Sequence, residues 1–136
     1  MVGGFLVFVG VAFGGVWVAQ LVPAAITGEP PAELVATGLF TNPIHVIDLA
    51  FILPLHLIAG VALWRGRALG FALAPVLLGF GALMTATIAF LAVLMEVRHV
   101  ADGGYPIAVA MSVLAALSLA LLAWMLSTML RRDLRA

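Results

Sequence analysis

The sequence TNPIHVIDLAFILPLHLIAG (residues 41–60) holds a conflict. Sixteen of these twenty positions suit the interior of a lipid bilayer or its boundary, yet two histidines, one aspartate and one mid-segment proline share the segment with them. The start resolves easily. Asn42 or Thr41 is a good helix N-cap, and Pro43 falls at the first helical position, where its missing N–H costs nothing. A helix therefore opens sharply here and runs for about the twenty apolar residues that cross a hydrocarbon core. His45 and Asp48, three residues apart, share a face of it. His56, eleven residues after His45, returns to nearly the same direction at about 3.6 residues per turn. The polar residues thus form one stripe. Pro54 cannot donate to the carbonyl of Ala50, so a kink and a free acceptor are expected between Asp48 and His56.

The rest of the chain has the same character. Of 136 residues, 65% are hydrophobic and 9% charged, against roughly a quarter charged in soluble domains. Four apolar runs are long enough to span a membrane: 3–22, 43–64, 68–97 and 105–130. The expected fold is all-α, a four-transmembrane-helix antiparallel bundle forming a single transmembrane domain. The only long connection, residues 23–42, is rich in Pro, Gly and acid. Within it, Pro31 and Gly38 bracket a short interfacial helix. The link WRGRALG makes spans two and three a hairpin, and DGG at 102–104 turns the chain into the last span.

Arginine placement sets the orientation, because cytoplasmic flanks are enriched in basic residues. Arg65, Arg67, Arg131, Arg132 and Arg135 fall on one side and Arg98 on the other. Both termini are expected in the cytoplasm, with Glu29, Glu33, Glu96 and Asp102 outside. The first positive side chain is Arg65, so the opening apolar run is read as a retained span rather than a signal peptide, which needs a basic start. Trp17, Trp64, Trp124 and Tyr105 fit an aromatic belt, although Trp17 and Trp124 equally suit a core. Zero formal net charge gives no basic face for nucleic acid. The absence of cysteine excludes disulfide exchange and Cys-ligated metal or iron–sulfur sites.

Lipid offers no hydrophobic drive between helices, so small residues must allow close packing. Gly10 with Gly14, Gly66 with Gly70, and the row Ala108, Ser112, Ala116 are the candidates. They serve contacts within one chain or between copies.

The polar cluster His45, Asp48, His56, Glu96, Arg98 and His99 carries any chemistry. His45 and Asp48 open span two; Glu96 and His99 close span three at the same outer boundary. These four form a ligand set that zinc, manganese or iron would accept, and the Glu-x-x-His spacing is one that bundle metal sites use. The plainer reading leaves them among headgroups and water, with Glu96 or Asp48 pairing Arg98. Asp48 lies about 7 Å below the cap at roughly 1.5 Å per residue, where a membrane carboxylate needs a partner. His45 is the first choice and Arg98 the second. His56 lies near mid-bilayer and is expected to bond Thr85, Thr87 or the carbonyl that Pro54 frees, or to relay protons with Asp48. A heme or chlorin at His56 is disfavoured, since no second mid-membrane histidine exists to complete a pair. The first expectation is therefore no cofactor, with a transition metal as the alternative. Ser112, Ser118 and Ser127 lack a partner base, so no enzyme nucleophile emerges.

The segment TNPIHVIDLAFILPLHLIAGVALWRGRALGFALAPVLLGFGALM resembles a stretch of uncharacterised bacterial multi-pass membrane proteins with an NP-x-H-x-x-D start, a mid-helix proline, a basic hairpin and a Gly/Ala-Pro segment. It covers about a third of the chain. The resemblance implies a bacterial cytoplasmic (inner) membrane location and brings no substrate or cofactor. Small multidrug transporters have similar size and span count, but they carry a carboxylate in the first span, and residues 3–22 have none. Two functions follow. The first is a non-catalytic component that oligomerises or docks onto a larger membrane complex. The second is a binding or transport protein with an outward-facing His/carboxylate site that holds a transition metal.

Overall fold

The computed structural model describes residues 1–31, 34, 35, 38, 40–99 and 104–133. Within these the regular structure is helical: α1 (Val2–Thr27), α2 (Pro43–Trp64), α3 (Ala68–Val97) and α4 (Gly104–Asp133). All four helices are long and apolar enough to cross a membrane. This is the form lipid demands, because a helix satisfies its own backbone polar groups.

Two compact units divide the chain, residues 1–71 and 72–136. In the first, α1 and α2 run in opposite directions, and their contacts follow a regular row. Gly3 meets Gly60 and Trp64, Val7 meets Gly60, Gly10 meets Leu53 and Leu57, Gly14 approaches Leu53, and Trp17 reaches Asp48 and His45. On α1 the steps are four, three, four and three residues, a seam that stays on one face. Glycine at 3 and 60 brings backbone against backbone. A Cβ on Gly60 would sit 2.7 Å from Gly3 O and 2.6 Å from Val7 Cγ2. Gly15, by contrast, has open space where a Cβ would go.

α1 continues past Pro23 and stops at Gly28, whose φ of 73° places it in the left-handed region. There its amide bonds Ala24 O, the usual helix stop. Of the short helix expected at 31–38, Leu34 and Val35 are helical and their amides bond back to Pro31 O. Residues 32, 33, 36, 37 and 39, and Glu33 with them, lie outside the described residues. So do 100–103, which include Asp102, and 134–136, which include Arg135.

α2 ends in a tight turn. Gly66, with φ of 63°, donates to Leu63 O, and Arg67 N–H donates to Ala62 O. This is the paired-bond stop that a left-handed glycine permits. Gly66 therefore serves the turn, with open space where a side chain would be, whereas Gly70 lies directly against the backbone of Ala62 and Leu63.

The second unit holds most of α3 and all of α4, again running in opposite directions. Gly79 approaches Leu122, Gly81 approaches Ser118, and Gly104 is packed on Ala92 O. The buried residues of α4 are Gly104, Ala108, Ala115, Ser118 and Met125, with Met111 and Leu122 half-buried between them. That row steps by four and three. Ala108 belongs to it; Ser112 and Ala116 lie off it and are exposed.

Replacing Gly60 by alanine should therefore lower stability by about 1–3 kcal/mol through overpacking against backbone. Gly15→Ala should be neutral or stabilising, since it removes a flexible helix residue without a clash. Thermal unfolding of both variants in detergent checks the contrast, and equal shifts would contradict the packing described.

Candidate functional site

The residues singled out in α2 owe their placement to one local departure from α-helix. Asn42 caps the helix, its Oδ1 accepting from the amides of Ile44 at 3.0 Å and His45 at 3.5 Å. Pro43–Ile47 is then α-helical, but Asp48–Ile52 is a π-helical turn, with Leu53 N–H donating to Asp48 O. Pro54 follows immediately. In a plain α-helix its ring would press on the carbonyl of Ala50 and leave that carbonyl without a donor. A wider turn with i→i+5 bonds absorbs one extra residue ahead of the proline.

The rotation that results decides which residues meet. Five α-helical steps of about 100° would leave Asp48 about 140° around the helix from Leu53. With one residue absorbed by the wide turn, the separation falls to that of four steps, about 40°. Asp48 thereby joins Leu53, Leu57 and Gly60 on the face against α1. The same extra residue turns His56 by one step, roughly 100°, so that it stands about 80° from His45 and about 20° from Asp48, and the alignment with His45 expected from uniform periodicity passes to Asp48.

On that face Trp17 is the partner of Asp48. Its indole Nε1–H donates to Asp48 Oδ2 at 3.0 Å, in place of the bond from His45 or Arg98 expected from the sequence. The Trp17 and His45 rings lie 4.3 Å apart between centroids at 39°. His45 Nδ1 is buried and makes no hydrogen bond within the described structure. Three side chains thus cluster near the start of α2: an acceptor carboxylate held by an indole, and an imidazole packed on that indole with one ring nitrogen unengaged. Sequence reasoning set Trp17 at the lipid boundary or in a core. The signal for its role was its place in the row Gly3, Val7, Gly10, Gly14, Trp17.

His56 is 4% exposed, and its Nδ1 lies 2.7 Å from Ile52 O. A carbonyl can only accept, so Nδ1 carries the proton. The expected threonine partners are engaged elsewhere. Thr85 Oγ1 donates to Gly81 O and Thr87 Oγ1 to Leu83 O, each one turn back on its own helix.

In the second unit Glu96 Oε2 accepts from the amide of Gly104 at 2.6 Å. A carboxylate there satisfies an otherwise unpaired amide and complements the positive end of α4. Arg98 and His99 are exposed. His99 stands at φ of 54°, a left-handed conformation taken up by few residues other than glycine, where its amide bonds Glu96 O and closes α3. Among the described residues no group of three or more His, Asp and Glu side chains is gathered in a way that could hold a metal ion.

Comparison of the chain with protein-family models, with curated proteins and with solved structures finds no match. What the structure itself defines is an all-helical chain whose four apolar helices fit a multi-pass membrane protein.

The indole–carboxylate bond should be measurable. Trp17→Phe keeps the ring packing but removes the donor, leaving a part-buried acceptor unpaired at a cost of about 1–3 kcal/mol. Trp17→Phe made on an Asp48→Ala background should cost markedly less. Independent, additive losses in a double-mutant cycle of thermal unfolding would show that the pair does not act as one.

Proposed function

We propose that this chain is a non-catalytic component of a bacterial cytoplasmic membrane, built as an antiparallel four-helix bundle that associates with a further helical surface, first of all a second copy of itself. One observation carries this reading: the second unit has an apolar groove of about 360 Å³ lined by Ala86, Ala89, Phe90, Val93, Ser112 and Ala115. Its alanines let a helix backbone come close, and such small-residue surfaces are where membrane helices associate. Ser112, exposed and outside the buried row of α4, stands on its open side. The polar side chains support the same reading. Asp48, His56, Thr85 and Glu96 each engage a partner that stabilises the helices, and among the described residues no hydrogen bond joins a serine or threonine hydroxyl to a histidine or carboxylate side chain.

The positive-inside bias supports cytoplasmic termini. The chain has no cysteine, so a single Ala136→Cys should be labelled by an impermeant thiol reagent only from the cytoplasmic side. Labelling from outside would invert the orientation.

Detergent-corrected mass should be a multiple of 14.2 kDa, or include a co-purifying subunit, and Ser112→Phe should return it to the single-chain value. A lone protomer for the unaltered protein would sink the proposal. A second reading is favoured by the unengaged His45 Nδ1 beside Asp48: an outward-facing binding or transport site for a transition metal. Elemental analysis of the same purified protein separates the two. A stoichiometric metal lost on His45→Ala would replace the first reading by the second.

A further inference from the structure

At the turn between α2 and α3 the first unit has a groove of about 320 Å³ lined by Leu57, Ile58, Val61, Ala62, Leu69 and the two arginines Arg65 and Arg67. We infer that this groove is a binding site for one anionic phospholipid. The volume is at the lower end of small-molecule pockets, about 300–1,000 Å³, and its wall follows from local structure. Residues 57, 58, 61 and 65 recur at helical spacing on one side of α2. Leu69 stands across from them because Gly70, lacking a side chain, lets the start of α3 lie on the backbone of Ala62 and Leu63.

The two charges are held at the rim by the turn itself. Arg65 N–H bonds Val61 O, Gly66 N–H bonds Leu63 O and Arg67 N–H bonds Ala62 O, so the backbone beneath both guanidinium groups is fixed. Among the described residues neither arginine side chain makes an ion pair or a hydrogen bond. Two cationic forks are thus free to take a phosphate, which a guanidinium binds in bidentate fashion. Below them the groove is aliphatic. A soluble anion would use the arginines and gain nothing from Leu57, Ile58 or Val61. A phospholipid presents phosphate and acyl chain in the same order as this surface presents charge and hydrocarbon, which is the pattern of basic pockets that hold anionic headgroups. The site requires only that a turn joining two apolar helices lie at a headgroup layer, and so is independent of the function proposed above.

Native mass spectrometry of the detergent-purified protein, titrated with phosphatidylglycerol or phosphatidylcholine of matched chains, tests the assignment. Each arginine near an anionic headgroup contributes about fivefold, so phosphatidylglycerol should be retained over phosphatidylcholine by roughly 30-fold. Arg65→Gln with Arg67→Gln should abolish that preference. Val61→Phe, which fills the groove and leaves the charges, should weaken retention of phosphatidylglycerol, and inorganic phosphate should not compete. Equal retention of the two lipids, or preference unchanged in the double arginine variant, would overturn the proposal. So would full competition by phosphate with no effect of Val61→Phe, which would mark a site for a free anion. A melting curve of each variant without added lipid identifies any that has simply failed to fold. In that case the comparison of Arg65→Lys with Arg65→Gln, which keeps or removes the charge at one exposed position, decides the question.

Discussion

The wide turn at Asp48–Ile52 is the constraint on which the first unit depends. Pro54 brings a ring that a plain α-helix would drive into the preceding turn, and the chain answers by taking up an extra residue. The consequence reaches along the helix. Leu53, Leu57 and Gly60 keep their row against α1 below the turn, and Asp48 and His45 regain the same face above it. Without the added residue, either the upper polar pair or the lower packed row would point away from α1. A carboxylate directed at acyl chains is costly, so the π turn and the Trp17–Asp48 bond are parts of one solution.

Close approach of backbones supplies what water supplies in a soluble bundle. Lipid tails are as apolar as the side chains that would leave them, so helices gain by contact area and not by desolvation. Gly3 against Gly60, Gly10 against Leu53 and Leu57, and Gly70 against Ala62 and Leu63 are such contacts in the first unit. Gly104 against Ala92, with Glu96 Oε2 on its amide, is the counterpart in the second. Glycine has different work at 28 and 66, where positive φ ends a helix. A Gly-x-x-x-Gly spacing does not separate these roles, as Gly66 and Gly70 illustrate: one turns the chain and the other packs.

The polar side chains divide by what they engage. Asp48 and Glu96 each bind a donor that fixes a neighbouring helix or helix end, and His56, Thr85 and Thr87 bind carbonyls one turn back on their own helix. All are ways of meeting hydrogen-bonding needs where water is scarce. Arg65 and Arg67 differ, being fixed at the backbone with their guanidinium groups unengaged among the described residues. His45 differs too, with a buried ring nitrogen left over.

Four apolar helices, the Asn42 cap with Pro43 behind it and the arginine-bearing turn were legible in the residues alone. Each is a local matter of length, hydropathy or capping chemistry, and a helix in lipid must satisfy its backbone within itself. Which side chains meet was not legible, because partnership depends on rotation about the helix axis and a single added residue alters that by about 100°. Uniform periodicity aligned His56 with His45 and gave Asp48 to a histidine or an arginine. Packing chose Trp17, a residue of another helix, and turned His56 to its own backbone, since only the folded pair fixes both the π turn and the face that α1 presents.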